Sequence, residues 1–192
     1  MEYLGITSGR RSDNKLFHGK SSKYAYPLLE IGVLDSCLSS NADFGRAFYC
    51  SHDIREAYKC AREKAGDCGD LFGVIIYFDL PENYAEGLNK LEFFDRSGGS
   101  VSDWEEVVKA VRKDSHDLEA PLSTWGLRKR YLIETRDLIN GFQRNAEGRP
   151  AIDGPKQYAF RTKKAWNKIF EDMTKIKIVV FEVEPNRPME TD

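Results

Sequence analysis

The sequence predicts an α+β fold built around a largely antiparallel sheet. Three segments carry apolar residues at the spacing of amphipathic helices, and a continuous β-branched and aromatic run at residues 71–80 is typical of a buried strand. Strand and helix segments do not alternate strictly, which argues against a doubly wound parallel sheet. The 192 residues, 41% of them apolar and 31% charged, suit a single globular domain.

The first half of the chain contains three expected strands and two expected helices. Glycines after the helices supply the stops, and Pro81 closes the long apolar strand, which we expect to be central and buried on both faces. The expected elements are a strand at 15–18, a helix at 22–30 ended by Gly32, a strand at 47–50, a helix at 53–65 ended by Gly66, and the strand at 71–80.

The second half adds two helices and at least three strands. Ser102 and Glu105 have the spacing of a capping box, which predicts a helix whose Trp104, Val107, Val108 and Val111 are buried. The remaining expected elements are one or two strands within 130–142, an exposed loop at 145–155, a strand at 157–161, a helix capped by Thr162 with Trp166, Ile169, Phe170 and Met173 along one face, and a strand at 176–183.

Charge is close to balanced overall and uneven along the chain. The 29 basic and 31 acidic residues give a net charge of -2, which excludes a uniformly basic protein of the kind that binds nucleic acid non-specifically. Residues 79–106 hold eight acidic and two basic residues, whereas residues 156–177 hold seven basic and two acidic residues. Each segment is interpreted either as a solvated face or, for the basic one, as a rim beside a phosphate-bearing ligand.

The four cysteines, Cys37, Cys50, Cys60 and Cys68, match no CxxC metal motif. We interpret them as reduced thiols in the core, with a disulfide framework as the alternative, and we expect no metal. The chain begins without the apolar core of a signal peptide, and its longest apolar run, residues 74–78, is too short to cross a bilayer. An intracellular protein without membrane association is expected; the alternative is a secreted effector whose leader was removed.

Three short motifs carry a resemblance. They are LFHGKSS at residues 16–22, DFGRAFYCSHD at 43–53 and KQYAFRT at 156–162. Their order and spacing resemble the ADP-ribosyltransferase superfamily, in the branch of the diphtheria-type toxins and poly(ADP-ribose) polymerases, which uses a His-Tyr-Glu set. The resemblance implies a split antiparallel sheet flanked by short helices. Two positions depart from the family pattern: Ala47 replaces a glycine, and Gln157 replaces the catalytic glutamate.

The resemblance assigns roles around bound NAD. His18 would hydrogen-bond the adenosine-side ribose, the Gly19 backbone would pair with the nicotinamide amide, and Tyr49 would stack on the nicotinamide ring. Tyr58 would form a second aromatic wall, and Ser51 a polar contact near the amide. Each residue also has a structural alternative: a hydrogen-bonded histidine at a strand end, packed aromatic rings for the two tyrosines, and a helix cap for the serine.

Gln157 stands where the family has glutamate, so the catalytic set here is His18, Tyr49 and Gln157. Cleavage of the nicotinamide–ribose bond passes through an oxocarbenium-like state, and a glutamine keeps a hydrogen-bonding group there without the negative charge. Losing one such electrostatic partner commonly costs about 10²–10³ in rate. A slow transferase, a glycohydrolase or an NAD-binding domain without turnover are all consistent with glutamine, and Gln157→Glu is expected to raise NAD cleavage or alter its product.

Other charged residues are candidates to complete the site. Three carboxylates could substitute for the missing glutamate. Four basic residues could contact the NAD diphosphate or a nucleic-acid acceptor. The alternative for all seven residues is solvent exposure or a salt bridge. The carboxylates are Glu134, which we expect in a strand, and Glu147 and Asp153, which lie in the loop just before Gln157. The basic residues are Lys156, Arg161, Lys163 and Lys164.

The resemblance therefore implies a mono-ADP-ribosyltransferase-like protein that uses NAD as co-substrate. Its acceptor would be a macromolecule, with protein favoured over nucleic acid, or water. The alternative is a non-catalytic NAD-binding or protein-interaction module. We expect a monomer with an N-terminal extension at residues 1–14, one domain at 15–184 and a frayed tail at 185–192.

Overall fold

The structure, a computed structural model, describes residues 14–34, 38, 42–93, 98–113 and 133–183. Within them the chain forms seven strands and four helices, followed late in the chain by a short 3₁₀ turn, Met173–Lys175. The strands are β1 Lys15–Ser21, β2 Phe48–Ser51, β3 Phe72–Asp79, β4 Lys90–Glu92, β5 Leu138–Phe142, β6 Lys156–Phe160 and β7 Ile176–Glu182, and the helices are α1 Ser22–Ile31, α2 Ile54–Asp67, α3 Gly98–Lys113 and α4 Lys163–Phe170.

All seven strands belong to one sheet, in the order β4-β5-β6-β2-β1-β3-β7. Only the β4–β5 pair is parallel, and the other five pairs are antiparallel. The predicted α+β class with a mostly antiparallel sheet is therefore confirmed. The predicted burial of β3 is confirmed, because its residues from Gly73 to Phe78 are buried, but the strand lies next to the edge strand β7 and not at the centre of the sheet.

The sheet is nearly divided in two between β1 and β2. Strand β1 pairs with β3 along its whole length, and β2 pairs with β6 along its whole length. Between β1 and β2 the ladder contains one register pair, Phe17 opposite Ser51. The two halves, β4-β5-β6-β2 and β1-β3-β7, therefore separate from His18 onward.

Helices cover both faces of the sheet. One face is covered by α1 and α4, whose Leu28 and Ile169 belong to the largest hydrophobic cluster. The opposite face carries two separate clusters, one beneath α3 around Trp104 and one beneath α2 around Ala57. Because these two clusters do not merge, a cleft lies between α2 and α3 above the division in the sheet.

Several element ends differ from the prediction because hydrogen bonding extends an established element beyond a local stop signal. Helix α2 continues past Gly66 to Asp67, and α3 begins at Gly98, so that Ser102 is not its N-cap. Within the described residues of 130–142 there is one strand, β5, and β4 was not predicted. Thr162 is confirmed as the cap of α4, since its Oγ1 accepts from the Ala165 amide at 3.3 Å.

Three cysteines are free thiols: Cys50 lies in the core as predicted, whereas Cys60 and Cys68 are only partly buried. Cys37, most of the N-terminal extension and the tail at 185–192 lie outside the described residues. In the described part of the chain, no helix combines the length and the apolar character that crossing a bilayer requires.

Candidate functional site

The cleft between α2 and α3 has a volume of about 460 Å³. Its floor is formed where β1, β2 and β6 lie side by side, and α2 forms one wall with Ala57 and Cys60. Five of the six residues to which the resemblance gave a role line it: His18, Gly19, Tyr49, Ser51 and Gln157. Residues more than a hundred positions apart in sequence therefore meet in one concave site.

A second, more apolar cavity of about 470 Å³ adjoins the first. It lies beside α1, with Leu28 and Phe48 among its apolar lining. The two cavities share four residues: His18, Gly19 and Tyr49 at the division in the sheet, and Cys60 on α2. The site as a whole therefore consists of a more polar and a more apolar compartment, joined at these four residues.

His18 connects the two halves of the sheet. Its Nδ1 lies 2.7 Å from the carbonyl oxygen of Tyr49 and must donate to it, because a carbonyl can only accept. The ring stacks on Phe48 at a centroid distance of 4.3 Å. Burial lowers the pKa of His18 to about 4, and the positive charge of Lys20 acts in the same direction. The imidazole is therefore neutral, and Nε2 is a buried acceptor that no donor contacts.

Gly19 is required by helix packing. A Cβ atom at this position would lie 1.8 Å from the backbone oxygen of Ala57 and 2.9 Å from the backbone nitrogen of Ala61. The glycine therefore allows α2 to lie directly against β1, which sets the wall of the cleft. The absence of a side chain at Gly19 allows the close packing of α2, and the Gly19 backbone lines both cavities.

Tyr49 is held by the turn that precedes β2. Its hydroxyl accepts from the Phe44 amide at 2.9 Å and donates to the Gly45 carbonyl at 2.8 Å. Gly45 adopts a positive φ of 71°, and its amide closes the turn on Ala42 at 3.0 Å. Burial raises the pKa of the Tyr49 hydroxyl. The phenol is thus neutral, and its hydroxyl is hydrogen-bonded to the turn. Its ring lines both cavities.

Ser51 lines the cleft, and it is not the helix cap that its alternative interpretation predicted. Its Oγ accepts from the Asp53 amide at 3.1 Å and donates to the Lys156 carbonyl at 3.2 Å. Asp53 itself is the N-cap of α2, since its carboxylate accepts from the Arg55 amide at 2.9 Å. The hydroxyl therefore organises the entry into α2.

Gln157 is buried at the start of β6, opposite Ser51 of β2. Its Nε2 donates to Oδ2 of Asp43 at 3.0 Å and to the Phe142 carbonyl at 2.7 Å. Both partners are acceptors, so the atom that faces them must be a donor. The side chain is consequently fixed as an amide at this position.

Asp43 is a buried carboxylate of the cleft, and it is not among the candidate residues that the sequence motifs indicated. Its side chain is 8% exposed and lines the cleft. Oδ1 accepts from Arg112 Nε at 2.9 Å and lies 2.8 Å from Arg112 Nη2, and Arg144 Nε lies 3.8 Å away. An aspartate before Phe-Gly reads as an ordinary turn residue, so no local pattern distinguishes it.

Tyr58 does not line either cavity. It is 45% exposed on α2, whose buried positions are Ala57, Ala61 and Ala65, and its ring packs against Phe181 at 4.5 Å. Tyr58 therefore does not form the second aromatic wall that the resemblance implied, and its contact with Phe181 fits the alternative of a packed ring. One residue of displacement along a helix rotates a side chain by about 100°, enough to move it from the cleft to the side facing β7.

The three carboxylates proposed as substitutes for the glutamate are exposed and do not line the cleft: Glu134, Glu147 and Asp153. Glu134 follows Ile133 in a helical turn and not in the expected strand.

The proposed basic rim is also placed elsewhere. Neither Lys156 nor Lys163 lines the cleft, and two of the basic residues stabilise the fold: Arg161 donates to the Phe44 carbonyl at 2.9 Å, and Lys164 contacts the Gly87 carbonyl. The cations of the cleft are Arg112 and Arg144.

Comparison of the chain with family models, curated proteins and solved structures finds no match. The described residues contain no cluster of three or more histidine, cysteine or acidic side chains arranged to hold a metal ion. The residues of the cleft are therefore the basis for assigning a function.

Proposed function

We propose that the cleft binds NAD and that the protein is a mono-ADP-ribosyltransferase-like enzyme, which cleaves the nicotinamide–ribose bond and transfers ADP-ribose to a protein, to a nucleic acid or to water. The supporting observation is the convergence of His18-Gly19, Tyr49 and Gln157 on one cleft. These residues belong to three motifs that resemble the ADP-ribosyltransferases, and they lie on three adjacent strands. The near division of the sheet between β1 and β2 is consistent with the split sheet of that superfamily.

The chemistry of the residues fits a dinucleotide. Nε2 of His18 is an acceptor without a donor, which a ribose hydroxyl would satisfy. The ring of Tyr49 offers a flat apolar surface to a nicotinamide, and its position does not depend on the ligand because the turn holds its hydroxyl. The two adjoining compartments, about 460 and 470 Å³, provide room for the two halves of an extended ligand.

The test is nicotinamide release from labelled NAD by the full chain, with and without candidate protein acceptors. We expect release by the unmodified chain and a loss of at least about tenfold in His18→Ala and Tyr49→Ala, since each removes a ligand contact. Tyr58→Ala is the matched aromatic control, because Tyr58 lies outside both cavities. Release that is absent, or equal in all four proteins, would count against catalysis at this site.

The hydrogen bonds of the Gln157 side chain within the protein favour a second candidate function. With its amide nitrogen donating to Asp43 and Phe142, Gln157 brings no charge of its own to the cleft, which is consistent with a module that binds NAD without turnover. Calorimetric titration with NAD separates the cases. Binding without nicotinamide release supports the non-catalytic module, and absence of binding supports a protein-interaction module.

A further inference from the structure

We infer that Asp43 is the catalytic carboxylate of this cleft and that Gln157 is a positioning residue that holds it. The inference rests on the proposed function and assigns the negative charge that the glutamine lacks to a neighbouring residue. In the part of the chain that the structure describes, Asp43 is a buried carboxylate that lines the cleft and directly contacts the residue in the glutamate position.

The negative charge lies on Asp43, which is hydrogen-bonded to residue 157, and not on residue 157 itself. Oδ2 of Asp43 lies 3.0 Å from Nε2 of Gln157, close to where a glutamate carboxylate at position 157 would end. Arg112 contacts the other carboxylate oxygen, Oδ1, at 2.8 and 2.9 Å. Oδ2 therefore accepts from one neutral amide and retains a lone pair for a ribose hydroxyl in the cleft.

The same contacts explain why residue 157 is a glutamine. A carboxylate there would face the Asp43 carboxylate and the Phe142 carbonyl, two acceptors at 3.0 and 2.7 Å. Like charges at this distance cannot both remain ionised without a large cost. This inference predicts that Gln157→Glu lowers activity, the opposite of the expectation from the resemblance.

The role of Asp43 in the reaction is electrostatic. The bond between C1′ of the ribose and the nicotinamide nitrogen breaks, and its electron pair neutralises the pyridinium to give free nicotinamide. Positive charge develops on the ribose, where the Asp43 carboxylate stabilises it. An acceptor oxygen, from water or a protein side chain, then bonds to C1′ and releases its proton to solvent.

The experiment is a double-mutant cycle on the full chain with Asp43→Asn, Gln157→Glu and the combined variant. Nicotinamide release gives kcat and KM, and calorimetry gives the Kd for NAD. We expect Asp43→Asn to lower kcat by about 10²–10³ while Kd changes by less than about threefold. The combined variant places an amide at 43 and a carboxylate at 157, so we expect it to recover at least about tenfold of the lost kcat.

Asp53→Asn is the matched control. Asp53 has the same side-chain exposure of 8%, pairs with Arg55 and does not line the cleft, so the substitution should leave kcat unchanged. The inference is overturned if the unmodified chain releases nicotinamide and Asp43→Asn retains kcat within about threefold, if Kd rises as much as kcat falls, or if the combined variant recovers nothing. A chain that binds no NAD or releases no nicotinamide overturns the proposed function instead, and this inference with it.

Discussion

At the scale of single residues, the cleft is organised by polar atoms whose partners belong to the protein. The imidazole of His18 donates to the Tyr49 carbonyl, the Tyr49 hydroxyl bonds to the preceding turn, and the Gln157 amide donates to Asp43. These bonds fix side-chain orientation before any ligand arrives, which reduces the entropy cost of binding. Nε2 of His18 and the open side of the Asp43 carboxylate remain for a ligand.

Gly19→Ala should destabilise the protein by about 1–3 kcal/mol or more, because the added methyl would meet the backbone of α2 and displace the helix. The contact distance of 1.8 Å to the Ala57 oxygen leaves no room for a rotamer change to relieve it. Urea unfolding measures the loss. Gly66→Ala, at an exposed position of the same helix, is the control and should be neutral or stabilising; equal stability of the two variants would contradict the packing role of Gly19.

At the scale of elements, one aspartate connects the end of β1, the start of α1 and the start of β3. Asp70 accepts from the hydroxyls of Ser21 and Ser22 at 2.7 and 2.9 Å, from the Lys23 amide at 2.9 Å and from the Phe72 amide at 3.2 Å. These bonds, the Lys23 amide foremost, hold the pKa of Asp70 well below its usual range. A distant residue thus supplies the N-terminal cap that the Ser21 side chain does not provide.

Asp70→Ala should lower the free energy of unfolding at pH 7 by about 1–2 kcal/mol, the usual effect of losing an N-cap. Urea denaturation followed by circular dichroism gives the value. The control is Asp67→Ala, which removes an exposed carboxylate paired with Lys64 at 3.6 Å and should cost less than about 0.5 kcal/mol. A loss in Asp70→Ala no larger than in the control would show that the cap does not stabilise the junction.

At the scale of the whole molecule, two half-sheets meet at a single register pair and are further connected by a histidine. The ring of His18, on β1, donates to the backbone of β2 and stacks on Phe48. Protonation of this ring would place a charge in the core where the halves join. The cohesion of the molecule therefore depends on a neutral imidazole.

This arrangement predicts a pH dependence of stability. The pKa of His18 is about 4 in the folded protein, against 6.5 for an ordinary histidine, so the unfolded chain binds the additional proton between these values. Stability should be full above pH 6.5 and should fall as the pH is lowered toward 4, by about 1.4 kcal/mol for each unit of pKa difference.

His18→Gln should flatten this part of the profile, because glutamine does not titrate. Urea unfolding of His18→Gln and of the unmodified full chain at intervals from pH 7 to pH 4.5 measures the two slopes. Asp70 does not contribute to this window, since its lowered pKa moves its titration below that of an ordinary carboxyl. An equal slope in His18→Gln and the unmodified chain would refute the assignment to His18.

Local sequence patterns determined much of this protein. The periodic stripes in α2 and α4 and the long run in β3 located those elements, and the Thr162 cap set the start of α4. Each pattern depends on neighbours within a few residues, which is why it can be read from the chain alone. The three motifs likewise indicated five of the residues that line the cleft.

Only the tertiary structure decided which charged and aromatic side chains line the cleft. Asp43 belongs to the site because β6 brings Gln157 to it from 114 positions away, and Arg112 arrives on another helix. Tyr58 lies outside the cleft because the rotation of α2 directs it toward Phe181. Arg161 and Lys164 donate to backbone carbonyls of Phe44 and Gly87 and do not line the cleft. Contacts of this kind depend on how strands are ordered and helices are rotated, and a local pattern carries no information about either.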